Sequence, residues 1–218
     1  MGLCRPGARG EAKRTMREMH ETDRLTATVE LIDEANAVDP VRVRFEDVEY
    51  PAALVEGRRA YSWAGILRQQ SGQEAPEPLL VAARGHHLRR WEIPRERYPR
   101  TREGYLAWRT SLYAFHATAV GEIMSRTGYT AEEVDHAARL LGKERIKVDA
   151  DAQTYEDAVS LAFLEVRLGS FAETVTEEQL TRALRRTWRK MSEAGRDAAL
   201  TLTLAPAAAA AVRRALAE

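Results

Sequence analysis

The chain has 218 residues, enough for one domain with its own core, and its 33 basic residues balance 33 acidic ones, so net charge gives no argument for a nucleic-acid partner. A hydrophobic content of 44% with only four Phe and four Trp points to a core of Ala, Leu and Val, and the single cysteine, Cys4, excludes an internal disulfide and points to a reducing compartment. No apolar run approaches the roughly 18 residues needed to cross a bilayer and no signal-peptide stretch is seen, so a cytoplasmic location without a membrane partner is expected.

Residues 1–24 are basic and aperiodic and read as a disordered tail ahead of a domain over 25–205. A helix fits 25–37, with Leu25, Thr28, Val29 and Ile32 on one face, and "NAVDP" stops it because Pro40 disfavours helical geometry at Asp39. The alternation in "VRVRFEDVEY" (41–50) predicts an extended arm or a short edge hairpin. Pro51 suits the first turn of a helix over 51–70, and Pro78 opens another running to about Arg90.

The irregular basic stretch "IPRERYPRTREG" (93–104) leads into a long helix over 105–126, ended by Gly128. Thr130 with Glu133 forms a capping box for a helix over 131–142. An apolar helix follows over 152–168, Thr176 caps one at 177–191, and Ser192 begins a short one. Pro206 precedes an Ala-rich tail helix over 206–218. The expected fold is all-α, a single-domain bundle of six to eight helices.

Residues 84–109 hold eight arginines against Glu92, Glu96 and Glu103, whereas 30–56 hold eight acids against Arg42 and Arg44. Two solvated faces lying against each other would account for this, and so would an anion-binding surface. Arg89, Arg90, Arg95 and Arg109 offer planar donor forks that match phosphate or carboxylate. Trp91 and Tyr98 are interleaved with them as candidate stacking groups, and Lys143 and Lys147 join the patch if their connection folds over it.

His116 shares a helix face with Leu112, Phe115, Ala119 and Ile123. Asp157 falls on the face of Leu161, Leu164 and Leu168, where a carboxylate needs a metal, an arginine or a helix N-terminus as partner. Adjacent helical residues point about 100° apart, so one metal would take one of His86 and His87. Geometry leaves open which of the two it takes. The chain has no HExxH, no Cys pair, no Walker loop and no GxGxxG.

Over "AARGHHLRRWEIPRERYPRTREGYLAWRTSLYAFHA", "KERIKVDADAQTYEDAVSLAFLE" and "TWRKMSEAGRDAAL", roughly residues 28–205, the chain resembles the uncharacterised domain-of-unknown-function 4202 family. More remotely it is similar to the HD superfamily of helical, metal-dependent phosphohydrolases, whose ligands run His, adjacent His-Asp, then a late Asp. The "YEDAVSLAFLE" helix looks like the last of these, the "AARGHHLRRWE" helix like the His-Asp one, and His116 matches an extra histidine of two-metal members. Here no Asp follows His86 or His87, and the helix over 51–70 carries no histidine, only Glu56 as a substitute. The resemblance implies an HD-like bundle with His87, His116 and Asp157 holding a divalent Mn, Fe or Zn ion. It implies His87 as the candidate of the adjacent pair, with His86 expected to be a bystander.

Three functional readings are open. One is a metal-dependent hydrolase of a nucleotide or other phosphate ester. Another is a metal-free helical module binding a small anionic ligand, a nucleotide or RNA, through the Arg/aromatic patch. The third is a protein-interaction scaffold.

Overall fold

The computed structural model describes residues 23–204 and 206–216; the expected tail over 1–22, with Cys4, lies outside them. Helix α1 covers 23–36, so the patterned region begins before residue 25. Arg24 already belongs to it and forms ion pairs with Glu77 at 2.9 Å and Glu133 at 2.8 Å. Asp39 ends this segment and starts the next, because its buried carboxylate accepts from the N–H groups of Val41 (2.9 Å) and Ala53 (2.8 Å).

The alternating stretch closes on itself as an antiparallel hairpin of β1 (Arg42–Phe45) and β2 (Val48–Pro51). Glu46 and Asp47 both take positive φ in its turn, as a tight two-residue hairpin loop requires. Val43 is buried with Ala52, Val55 and Val166, and the partly buried Phe45 and Tyr50 of the strands pack against this small cluster.

The bundle is built on α2 (Ala52–Gln70), α3 (Glu77–Gly85), α4 (Arg102–Arg126), α5 (Ala131–Leu141) and α6 (Ala150–Ala162). α2 lies against α3 and α6, and α4 against α5. Ile32, Leu79, Leu88, Val120, Met124, Leu141 and Leu161 are fully buried between them. The caps fall where the sequence puts them: Thr130 and Glu133 form a capping box on α5, and Gly128 at φ 91° lets Tyr129 N–H close on the Met124 carbonyl. Thr176 and Gln179 form a second box on α8 (Glu177–Lys190), and Ser192 caps α9 (Glu193–Leu200).

Ten helices are seen among the described residues, more than the six to eight expected, and two causes account for the excess. A π-helical segment, Phe163–Arg167, separates α6 from α7 (Leu168–Thr174), and α10 (Pro206–Leu216) packs on α8 as a bundle member. The extra residue per turn of the π-segment changes the angular position of Arg167 relative to an unbroken α-helix.

The crossing of α2 and α3 depends on Gly57, where a Cβ would press into the backbone carbonyl of Arg84. Backbone cannot rotate aside as a side chain can. Gly57→Ala is therefore expected to destabilise by about 2–3 kcal/mol, read as a lower denaturation midpoint; an unchanged midpoint would show that the two helices can separate freely.

Candidate functional site

α3 stops at Gly85, short of the expected end near Arg90, and this local event creates the site. Gly85 has no room for a side chain, since a Cβ there would drive into Val120 of α4. Beyond it the chain tightens: Leu88 N–H donates to the Gly85 carbonyl at 2.9 Å, and Arg89 enters the left-handed region at φ 53°. Asn36 on α1 holds that turn by accepting from Arg89 N–H at 3.1 Å. The imidazoles of His86 and His87 are therefore not splayed by helical geometry. Their rings stack 4.1 Å apart, tilted by 35°. His86, expected to be a bystander, is 8% exposed and lies against His87.

Each of three histidines has its Nδ1 engaged. His86 Nδ1 donates to the Ala83 carbonyl (2.9 Å) and His116 Nδ1, on α4, donates to the Leu88 carbonyl (3.0 Å). A carbonyl only accepts, so in the neutral ring the lone pair is left on Nε2. His87 Nδ1 meets Glu56 Oε2 at 2.7 Å, and the other oxygen of Glu56 lies 3.4 Å from Arg167 Nε. His116 lies beside His87, ring centroids 6.2 Å apart, and its Nε2 is buried without a partner.

Burial keeps these rings neutral. It pushes His86 and His87 well below the usual histidine range, with the charges of Arg90, Arg167 and Lys143 adding to the effect on His87. His116 is lowered to about 4, by burial first and then by Arg90. Burial raises Glu56, against the opposing pull of Arg167. A chain that unfolds must protonate His116 near its ordinary value of about 6.5, whereas the folded protein resists until about 4. Stability should then fall as pH drops through that interval, His116 contributing about 2 kcal/mol between pH 7.5 and pH 5. Urea unfolding of the metal-free protein at the two pH values checks this, and His116→Gln should remove that share of the loss; an identical pH dependence in the variant would refute it.

Among the described residues, Glu56, His86 and His87 are the one group of three His, Cys, Asp or Glu whose candidate ligand atoms all lie within 4.8 Å of one another. That spacing is a little wider than the roughly 3–4 Å between atoms bound to one ion at about 2.1 Å, so modest ring rotation would close it. The donor set fits a borderline divalent ion. Two neutral imidazoles and a carboxylate are its usual ligands, and His86, whose Nδ1 is fixed by a carbonyl, is already oriented for the task.

The set His87, His116 and Asp157 is not assembled. Asp157 is the structural partner of α9: its Oδ1 accepts from Ser192 N–H (2.9 Å) and Gln153 Nε2 (3.0 Å), and its Oδ2 accepts from Ser192 Oγ (2.5 Å). Gly195 packs so closely on this carboxylate that a Cβ there would lie 2.6 Å from Asp157 Cγ. Of the three partners its burial demanded, the helix N-terminus is the one it has.

The basic residues divide in the same way. Arg89 pairs with Glu92 at 2.6 Å and lines a groove of about 750 Å³ with Leu31, Ala35 and Glu122, into which no histidine faces. Arg95 donates to the carbonyls of Tyr98 and Pro99, both at 2.8 Å. Tyr98 donates its hydroxyl to Ser111 Oγ at 2.7 Å, and Trp91 is partly buried in the turn Arg90–Glu92. Arg89 over Phe115, Arg95 near Trp108 and Tyr98 on Ser111 belong to the packing of the loop on α4. Lys147 is exposed.

Arg90, Arg109 and Lys143 remain with the histidines. The Arg90 guanidinium lies over the Trp108 ring, 4.8 Å from its centroid, and makes no side-chain hydrogen bond or ion pair among the described residues. Arg109 is held by the hydroxyls of Tyr105 and Tyr113. Lys143 reaches Glu156 at 2.6 Å, and its charge is felt at both His86 and His87. Sequence reasoning missed Arg167, because only the π-segment carries it to Glu56. It also missed His86, although Gly85 immediately before it is a stop signal for α3.

No helix among the described residues is long and apolar enough to cross a membrane. Neither a curated protein nor a solved structure matches the chain. The family model described as domain of unknown function (DUF4202) matches residues 26–212, nearly the whole described fold and all of the histidine cluster. By that match the chain belongs to the DUF4202 family.

Proposed function

We propose that the protein is a metal-dependent hydrolase of a phosphate ester, the metal held by His86, His87 and Glu56. One observation carries the reading: two adjacent imidazoles, His86 buried with its Nδ1 fixed by a carbonyl, form one close group with the Glu56 carboxylate, and the Arg90 guanidinium over Trp108 bonds to no carboxylate. A divalent ion bound there would polarise a phosphoryl oxygen and lower the pKa of water. In the net reaction water adds its oxygen to phosphorus, the ester P–O bond breaks and the alcohol leaves with a proton. Without metal, Glu56 Oε2 engages His87 Nδ1 and its other oxygen faces Arg167, so the carboxylate is held beside both imidazoles. His116 Nε2, with no protein partner, is placed to accept a hydrogen bond from a group entering beside His87.

Titration of the chelator-stripped protein with Mn²⁺, Fe²⁺ or Zn²⁺, followed by hydrolysis of p-nitrophenyl phosphate, tests this reading. Stoichiometric uptake and turnover abolished by EDTA are expected; no uptake together with no turnover sinks it. A second reading rests on Arg90 alone: a metal-free module that binds an anionic ligand and does no chemistry. It predicts ligand binding that EDTA leaves untouched and no product under any metal.

A further inference from the structure

Five cations gather around the histidine cluster, and two carboxylates face them. Arg167 is 3.4 Å from Glu56, while Lys143 and Lys190 share Glu156 at 2.6 and 3.1 Å. Arg90 and Arg109 bond to no carboxylate. The group is one electrostatic unit: burial lowers Arg90 and Lys143; Glu56 supports the charge of Arg90 while Arg167 and Arg109 press on it, and Glu156 supports that of Lys143 while Lys190 and Arg109 press on it. The histidines offer no negative charge, and a bound divalent ion would add two positive ones. Such an excess in a half-buried setting is costly unless a ligand offsets it.

Backbone strain marks the same place. The turn after α5 closes with Glu144 N–H on the Arg139 carbonyl, an arrangement whose left-handed position is normally filled by glycine. Gly142 stands one residue too early, and Lys143 takes the left-handed conformation at φ 58°. A lysine there costs on the order of a kcal/mol. What the lysine supplies in return is its ammonium group, 2.6 Å from Glu156 and 5.6 Å from the centroid of the Tyr155 ring, whose charge acts on His86 and His87.

We infer that Arg90, Arg109 and Lys143 form a subsite for the terminal, doubly charged phosphate of a phosphomonoester, and that this subsite is formed without metal. The inference deepens the hydrolase reading and shares its site, but it requires no turnover. A monoester phosphate carries close to two negative charges at pH 7 and three non-bridging oxygens. Two guanidinium forks and an ammonium can engage all three oxygens, the forks bidentately. A diester has one charge and two such oxygens, and it leaves most of the excess in place.

Calorimetric titration of the full chain in EDTA with inorganic phosphate, phenyl phosphate and diphenyl phosphate is the test. Phosphate and phenyl phosphate should bind, and the diester should bind at least about tenfold more weakly. Arg90→Ala should weaken phenyl phosphate by about tenfold or more, the loss of one charge-assisted contact, while Arg89→Ala stays within about twofold. The comparison of the two esters on the unaltered protein stands even if Arg90→Ala folds poorly. Equal binding of monoester and diester, no binding without metal, or an Arg89→Ala loss equal to that of Arg90→Ala would overturn the subsite. Because nothing turns over in EDTA, monoester binding followed by no hydrolysis under Mn²⁺ or Fe²⁺ would remove the hydrolase and keep the subsite.

Discussion

His87→Ala is expected to weaken Mn²⁺ binding at least about a hundredfold and to abolish metal-dependent hydrolysis of p-nitrophenyl phosphate. His87 stands at the centre of the cluster, stacked on His86 at 4.1 Å, bonded to Glu56 at 2.7 Å and beside His116. Loss of an outer partner of a metal-bound histidine typically costs tenfold to a hundredfold in affinity, so removal of a ligand should cost more. Glu56→Gln supplies the graded comparison. It keeps the side-chain volume and one ligand oxygen but removes the charge that would face the metal and Arg167, and a smaller loss of affinity than in His87→Ala is expected. His86→Ala should resemble His87→Ala, since both imidazoles belong to the same close group. Metal affinity unchanged in His87→Ala, with the fold intact by circular dichroism, would remove the metal centre.

Asp157→Ala should act on a different quantity. Loss of about 3 kcal/mol of stability is expected, with metal affinity held within about twofold. The carboxylate is 3% exposed and accepts from Ser192 N–H, Ser192 Oγ and Gln153, so its removal leaves buried donors without partners and frees the start of α9. Burial raises its pKa, and the Ser192 bonds oppose that rise. Asp157→Asn, which keeps one acceptor oxygen, should recover part of the stability. Denaturant unfolding combined with metal titration separates the two roles. A large drop in metal affinity without a drop in stability would return Asp157 to the ligand set from which the structure removes it.

The all-helical class, most element positions and the caps at Thr130, Thr176 and Ser192 were legible because each rests on a few neighbouring residues. The hairpin was legible as an extended segment from its period of two, and its turn at Glu46 and Asp47 was not, since neither residue type signals positive φ strongly. Burial of His116 and Asp157 followed from helical spacing. Burial says that a polar group needs a partner and leaves the partner unnamed. For Asp157 that partner is 35 residues away at Ser192, and for His116 Nδ1 it is a carbonyl 28 residues away.

The reversal at His86 and His87 has the same origin. A uniform helix through Arg90 would separate the two rings by about 100°, whereas the helix ends at Gly85, where Leu88 N–H closes a tight turn on the Gly85 carbonyl and Asn36 secures the backbone at Arg89. Arg167 joins the site only because a π-segment redirects it, and Arg89, Arg95 and Tyr98 leave it because loop contacts hold them. Local pattern along the chain thus sets which groups are available: helices, caps, and a surplus of arginine and histidine in one region. Which of those groups share a pocket, and with what charge balance, depends on helix ends and crossings between distant segments, where a single missing Cβ or one extra residue in a turn moves a side chain from one face to another.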